Sequence, residues 1–529
     1  MKDKKNKKDN LEYNSDELEE DNKHIKEFVS GGGAVFIAKI VGYIFAFLFK
    51  VILARHYGPD EYGLFEMSIT LIGFASTFAA LGLKSSVSRF IPEYRSKDKK
   101  KIKGLIKVII GFQLLSSLII SFIFVSFAES ITKFFDFPEA FTPMIFTLSI
   151  ALPISILSKD FKSILNSYKK IFVGKFGSNI LKYIILLIGA IFVTIFNQSM
   201  FVFIIFIVIS YLGMLIYYLY HFIPLSKEFR NEKAEYEIPR WLSYSIPLLF
   251  AGIIGKLIGW SDNLVIARFL TEGELGIYAV SFSVAYYLFI GSIMFSTQFL
   301  PIMTEVYQNS KKNFINLFQR IRNWSVLVSL CVGSVFILYA NQILLFLFGR
   351  DYIAGASSLQ ILSLFFIIAN YFYFSSKILN LEEDTKKILY GDIITLVLNL
   401  IITIYLVIEI GILGAAIGSG FSRFLIKYIF HLMSKKYIKI SHDYIHILKS
   451  TILTFSSAFI SYFITNTIFR NISIHFIFYI VLAGLIYSIL LLLGARYLKI
   501  FDKKDLIVLD YVEKYTKLNL NFFKNFLIK

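Results

Sequence analysis

The feature that most constrains this chain is a succession of apolar runs, each long enough to cross a lipid bilayer. A membrane-spanning helix needs on the order of 20 apolar residues, and runs of that length recur from residue 31 to residue 498 of the 529. They fall near 31–54, 63–83, 104–127, 140–158, 174–196, 200–223, 241–266, 275–300, 325–348, 355–376, 388–408, 411–433, 447–469 and 475–498. That makes about fourteen spans of the length a tilted helix requires. In lipid the backbone must satisfy its own hydrogen bonds, which leaves only helices and closed barrels. The runs are continuously apolar and do not alternate, so helices are predicted. Only 17% of the residues are charged, against about 25% in soluble domains. The chain is an all-α, polytopic membrane protein.

Charge then sets the expected topology. The connection after the second span carries "RSKDKKKIK", and the one after the fourth carries Lys159, Lys162, Lys169, Lys170 and Lys175. Later even-to-odd connections are also basic, with Lys227, Arg230, Lys233 and Arg240, then Lys311, Lys312, Arg320 and Arg322, then Lys386 and Lys387, and then Lys435, Lys436 and Lys439. The opposite set holds one cation per loop: Arg55, Lys133, Arg268, Arg350 and Arg470. The positive-inside rule therefore puts both termini and every even-to-odd connection in the cytoplasm. The net charge of +18 is spread over these clusters, a pattern that suits anionic lipid head groups. No nucleic-acid-reading motif accompanies it. Residues 1–28 read as a disordered cytoplasmic tail with no cleavable leader after them, and 499–529 as a cytoplasmic C-terminal tail. The single cysteine, Cys331, lies in an apolar run and reads as a packing residue.

The chain repeats itself. "ARHYGPDEYGLF" at 54–65 and "ARFLTEGELGIY" at 267–278 place Arg55 and Arg268, Glu61 and Glu274, and Gly63 and Gly276 all 213 positions apart. "FFDFPEAF" at 134–141 matches "LFGRDYIA" at 347–354 at the same offset, and "KKIFVG" at 169–174 matches "KKILYG" at 386–391 at 217. Both copies have the same inside-to-outside sense, so the repeat is parallel. It divides the chain into a six-span lobe over 29–224, a polar cytoplasmic linker over 225–240 and a second six-span lobe over 241–434. Two further spans over 435–498 lie outside the repeat. The duplicated loops are expected to turn the chain at the outer surface. Gly63 and Gly276 would supply a permissive backbone there, and Arg55 and Arg268 would hold the interface.

This parallel repeat, with its Ala-Arg, acidic loop and Gly-aliphatic-aromatic opening of each half, resembles the multidrug/oligosaccharidyl-lipid/polysaccharide exporter superfamily. The stretch "LFGRDYIAGASSLQILSL" at 347–364 is similar to its polysaccharide-flippase branch, which includes O-antigen and teichoic-acid exporters. The resemblance covers nearly the whole chain. It implies two lobes around a central cavity that opens to alternate sides, plus the two C-terminal helices. The implied activity is flipping of a polyprenyl-phosphate-linked glycan across the cytoplasmic membrane, with membrane lipids and polysaccharide-assembly enzymes as partners. Fourteen spans are also a property of the lipid II flippase branch.

Charges inside spans are costly and usually face a cavity. Those visible are Lys39 and Lys50 in the first span, Lys182 in the fifth, and Lys256 with Asp262 in the seventh. Lys39 and Lys50 share one helical face, and a cavity lined by the four lysines would suit a pyrophosphate. Asp262 reads as the only deep acid and as a coupling or charge partner. Pro153, Pro247 and Pro301 are expected to kink spans, and "KKNFINLFQRIRNW" at 311–324 to lie as an amphipathic helix on the cytoplasmic face. "FAGIIGKL" at 250–257 has the wrong spacing for a phosphate loop. His442 and His446 lack further zinc ligands nearby, so no metal, cofactor or catalytic residue is expected. Two other readings compete. A cation-coupled multidrug-type exporter would call for acidic cavity residues. A membrane glycosyltransferase or polysaccharide polymerase would need an outer carboxylate or metal site, which the short loops do not provide.

Overall fold

The computed structural model describes residues 15–501, except for 96, 383, 439–443 and 471–475, together with residue 513. Among the described residues 11 helices are long and apolar enough to cross a membrane, or 13 if two pairs bent by 43° are each one span. One of the 11, Ile37–Ala79, runs for 43 residues. At 1.5 Å per residue it would be about 65 Å long, twice a hydrocarbon core of about 30 Å. Gly58 breaks it with a φ of 77°, a left-handed conformation that glycine adopts without strain. The segment is thus two spans, and the total reaches the about fourteen that the apolar runs predict.

The first lobe comprises α1 (Ser15–Ala79), α2 (Lys84–Arg95), α3 (Lys99–Ser126), α4 (Ala128–Phe135), α5 (Phe141–Ile150), α6 (Leu152–Ser167), α7 (Ile171–Lys175), α8 (Lys182–Ile195) and α9 (Met200–Ser226). A π-helical turn, Phe176–Leu181, joins α7 to α8. The second lobe holds α10 (Ile238–Phe269), α11 (Glu272–Tyr286), α12 (Leu288–Asn309), α13 (Lys311–Leu338), α14 (Ala340–Leu347), α15 (Ala356–Tyr371), α16 (Ser375–Leu381), α17 (Thr385–Ile410) and α18 (Ile412–Ser434). The remaining α19 (Tyr444–Arg470) and α20 (Phe476–Tyr497) pack on each other and, through α19, on α13.

Three expectations change here. The tail read as disordered is helical from Ser15 onward. Lys159, Lys162 and Lys175 sit on α6 and α7, not in a loop, because α6 continues past the apolar run to Ser167. The 311–324 stripe does not lie on a surface. Phe314, Phe318 and Ile321 are buried against Met303, Phe374 and Ile378, since α13 carries the stripe straight into the lobe. Pro153 sits in the first turn of α6, just after the bend, and Pro247 lies within α10. The Pro301 side chain is outside the described residues, as are His442 and most of 499–529.

The core is organised by side. One end of the bundle carries the two repeated turns, 54–65 and 267–278, and the other carries the 225–240 linker. On the turn side a single buried cluster runs through both lobes, from Leu53, Tyr62 and Phe65 to Ile266, Leu275 and Tyr278. On the linker side the core divides. Phe90, Ile102, Phe161 and Tyr218 form one cluster in the first lobe, while Phe314 and Phe374, and Ile258 with Phe430, form others in the second. The lobes are fused at the turn side and separate toward the linker.

The linker itself is clipped to the first lobe. Lys101 pairs with Glu237 at 2.8 Å, Arg240 with Glu93 at 2.7 Å, and Lys103 donates to the Glu232 carbonyl at 2.6 Å. Lys101, and next the Tyr94 hydroxyl, hold the Glu237 carboxyl down at about 2. Ser86 donates to the Trp241 carbonyl at 2.9 Å, so α10 begins against the first lobe. Further along, Ile258 belongs to a second-lobe cluster. Helix α10 therefore bridges the lobes.

Candidate functional site

The repeated turns meet one another. A Cβ placed on Gly63 would lie 1.8 Å from the Glu272 carbonyl oxygen, and one on Gly276 would lie 2.1 Å from that of Pro59. Pro59 and Glu272 are themselves 213 apart. The two glycines are therefore there for close approach of two helices, as in membrane packing generally, and neither has a positive φ. This corrects the expectation of a permissive backbone at both sites. That role belongs to Gly58, whose repeat counterpart is Thr271. Thr271 starts its helix with a capping box instead: its hydroxyl accepts from the Glu274 amide, and the Glu274 carboxylate accepts from the Thr271 amide. The arginines cross between lobes as well. Arg55 donates to the Phe346 carbonyl at 2.9 Å, and Arg268 lies 5.3 Å over the Phe134 ring. They tie each lobe's turn to the other lobe, where the sequence suggested only an anchor at the interface.

Below this seal lies the space between the lobes. Lys159 on α6 donates to Ser76 at 3.0 Å, and its charged neighbours are Lys182, Lys256 and Lys84, with Asp160 beside it. Lys162 donates to Ser178 at 2.7 Å and feels Lys175 and Lys84. Lys39, half-buried, feels Lys175. Lys182 packs 5.5 Å from the Tyr183 ring and 5.1 Å from that of Tyr211; Lys256, on the other side of the gap, lies 5.0 Å over Trp260. The structure thus brings Lys39, Lys182 and Lys256 into one basic field. It adds Lys84, which the sequence reading did not single out, and Lys159, Lys162 and Lys175, which it left in loops. Their signal was available, since "LSKDFKS" has helical spacing, but the apolar run ends before it.

Lys50 is different. Its ammonium lies 2.6 Å from the Glu66 carboxylate, which also accepts from Tyr62 at 2.7 Å, and it reaches Ser283 of the other lobe at 3.5 Å. Its charge is neutralised, so Lys50 does not join the basic field. Glu66 had been overlooked: Asp262 is not the only deep acid, because Glu66 and Asp160 are also buried. Asp262 sits in a polar knot in the second lobe. It accepts from Ser419 at 2.6 Å and from Asn399 at 3.5 Å, with Arg423 at 3.7 Å.

An apolar groove of about 640 Å3 flanks the site. Its walls are Tyr43 and Phe47 of α1, Tyr287 at the bend of the eighth span, Phe336 of α13, and Ile480 and Tyr487 of α20. The appended pair α19–α20 therefore supplies one wall. Its shape and lining suit a long alkyl chain.

Two similar proteins are the capsular polysaccharide biosynthesis protein CapF of Staphylococcus aureus and the probable low-salt glycan biosynthesis flippase Agl15 of Haloferax volcanii. CapF is 22% identical over 398 residues, 74% of this chain and 95% of its own. Agl15 is 24% identical over 406 residues, 75% of this chain and 81% of its own. Among solved structures, the lipid II flippase MurJ in an inward closed conformation superposes with a TM-score of 0.67 at 18% identity, covering 92% of this chain and all (100%) of that one. An inward-facing multidrug transporter of the MATE family gives 0.57 at 12% identity, covering 77% and 93%. These likenesses establish an all-helical fold shared with both transporters. The polysaccharide biosynthesis protein family model matches residues 28–307, more than half of the chain, and this protein belongs to that family.

Proposed function

We propose that this protein is a flippase that moves a polyprenyl-phosphate-linked oligosaccharide, or a cell-surface polysaccharide precursor, across the cytoplasmic membrane by alternating access. The turn side faces outward, and the linker side and both termini face the cytoplasm. The observation that carries the reading is the basic field between the lobes, set next to an apolar groove. Lys39, Lys159, Lys182 and Lys256 offer ammonium groups to a diphosphate, while the groove takes the chain attached to it. The fused turn side and divided linker side correspond to a state loaded from the cytoplasm. Transport of this kind makes and breaks no covalent bond, so no catalytic residue is assigned. Polysaccharide-assembly enzymes would supply the substrate and use it after translocation.

Asp262, whose carboxylate is held by Ser419, Asn399 and Arg423, is the group we assign to coupling in the second lobe. Lys50 is assigned to structure. The deciding experiment reconstitutes the purified chain in vesicles and follows a short-chain polyprenyl diphosphate sugar from one leaflet to the other. Lipid-linked sugars extracted with the protein would be read in parallel by mass spectrometry. Movement of the lipid-linked sugar supports the reading; movement of organic cations alone would replace it with the multidrug-type exporter.

A further inference from the structure

The second lobe contributes a separate feature to the same space. Tyr43 lies one helical turn beyond Lys39 toward the turn side, Tyr286 ends α11 at its 43° bend, and Tyr373 occupies the break between α15 and α16. These three side chains, one from the first lobe and two from the second, are electrostatic neighbours. Tyr286 is 43% exposed with one ring face stacked on Phe282, Tyr43 and Tyr373 are partly exposed, and the Tyr373 hydroxyl is hydrogen-bonded to Ser296. Two lysines attend Tyr373: Lys427 stands 5.4 Å and Lys377 6.0 Å from its ring centroid. Among the described residues neither ammonium has a carboxylate within ion-pair distance, although Lys427 feels Asp392, Lys377 and Arg423.

We infer that this tyrosine and lysine group is a glycan subsite that takes an acidic sugar, one bearing a carboxylate, while the diphosphate sits among the first-lobe lysines. The inference rests on the lipid-linked reading proposed above and deepens it. A pyranose has an apolar C–H face and a polar rim, which matches a tyrosine ring and its hydroxyl. A neutral sugar calls for no cation. Two ammonium groups with one nearby carboxylate leave net positive charge beside the ring, and a sugar carboxylate supplies the missing partner through a charge-assisted hydrogen bond.

The test measures equilibrium binding of three probes to the purified full chain: farnesyl diphosphate, farnesyl diphosphate carrying glucose, and farnesyl diphosphate carrying glucuronic acid. The glucuronic acid probe is expected to bind at least about tenfold more tightly than the glucose probe. Lys427→Gln and Lys377→Gln should erase that preference and leave farnesyl diphosphate binding at the wild-type level. Lys427→Arg should keep the preference, and Tyr373→Leu should weaken both sugar probes but not the bare diphosphate. The bare probe also shows that each variant is folded. Equal binding of the two sugar probes, or a loss of bare diphosphate binding in Lys427→Gln, would overturn the subsite while leaving the lipid-linked reading in place. Binding of none of the three probes by the wild type would remove both.

Discussion

The two sides of this molecule are built on different rules. On the turn side, contacts come in repeat-related pairs. Gly63 meets Glu272 as Gly276 meets Pro59, and Arg55 reaches the second lobe as Arg268 reaches the first. The same holds deeper in: Lys50 reaches Ser283 and Asn263 donates to Thr70 at 2.9 Å, with both positions of the pair shifted by 213. On the linker side the symmetry is gone. At the offset of 217 Lys182 corresponds to Asn399, and at 213 Lys39 corresponds to Gly252. The first lobe lines the gap with Lys159, Lys162 and Lys182, while the second adds Lys256 and holds an aspartate–arginine pair. A gate closes on its own copy, so duplication serves it directly. A substrate with a diphosphate at one end and a glycan at the other needs two different walls.

The sharpest way to break this comparison is at Asp262. Asp262→Asn removes the counter-charge of Arg423, whose side chain is 16% exposed, and should cost about 1.5–3 kcal/mol of stability, read as lost abundance and a lower unfolding temperature. Replacing Arg423 by Met in the same chain should recover part of it. A fully stable single variant would show that the knot is not an ionic one.

Next in size, Lys182→Gln should reach wild-type membrane levels yet lose about tenfold or more in flipping, the worth of a charge-assisted contact. Lys50→Gln should do the reverse, lowering stability by stranding the Glu66 carboxylate while affecting substrate affinity little. Equal behaviour of the two variants in both assays would erase the distinction between them.

Gly63→Ala and Gly276→Ala test the symmetric side. Each puts a methyl group within 1.8–2.1 Å of a carbonyl oxygen, and overpacking of this kind costs about 1–3 kcal/mol. The seal should open, and a cysteine at Asn197 should label faster from outside, about equally for both variants. A strong effect from one glycine alone would end the argument from duplication.

The smallest effect is expected at the linker. The clip made by Glu237 should be at full strength above its usual value of 4.5 and lost as the pH falls through about 2, because a carboxylate with a lowered pKa stabilises while it stays ionised. The linker should therefore resist proteolysis at pH 4, where Glu237→Gln would already be cut. Equal cleavage of both at that pH would detach the linker from the first lobe.

Much of this was legible before any coordinates. Span number, helical class and the parallel repeat depend on local composition and on spacing along the chain, and these survive folding unchanged. Lys39, Lys182 and Lys256 were legible for the same reason: a charge inside an apolar run is conspicuous. Glu66 was visible in the same way within "LFEMSIT" and was passed over. The reach of α6 was not legible, because a helix that lines a polar gap no longer needs an apolar sequence, and so Lys159 and Lys162 looked like a loop.

The sequence by itself determined that the chain is helical and crosses the membrane many times, and its repeated turns pointed to two copies of one unit with a pair of helices added. Hydrophobic length and a constant offset are one-dimensional quantities. Only the tertiary structure decided what surrounds each charge. Lys39 and Lys50 share a helix face, yet one stands in a basic field and the other is closed by a carboxylate from the next span. Likewise, the repeated glycines look like turn residues in one dimension and become a contact between lobes in three. Ion pairing and close approach are set by distances between residues far apart in the chain, and those distances exist only once the helices have packed.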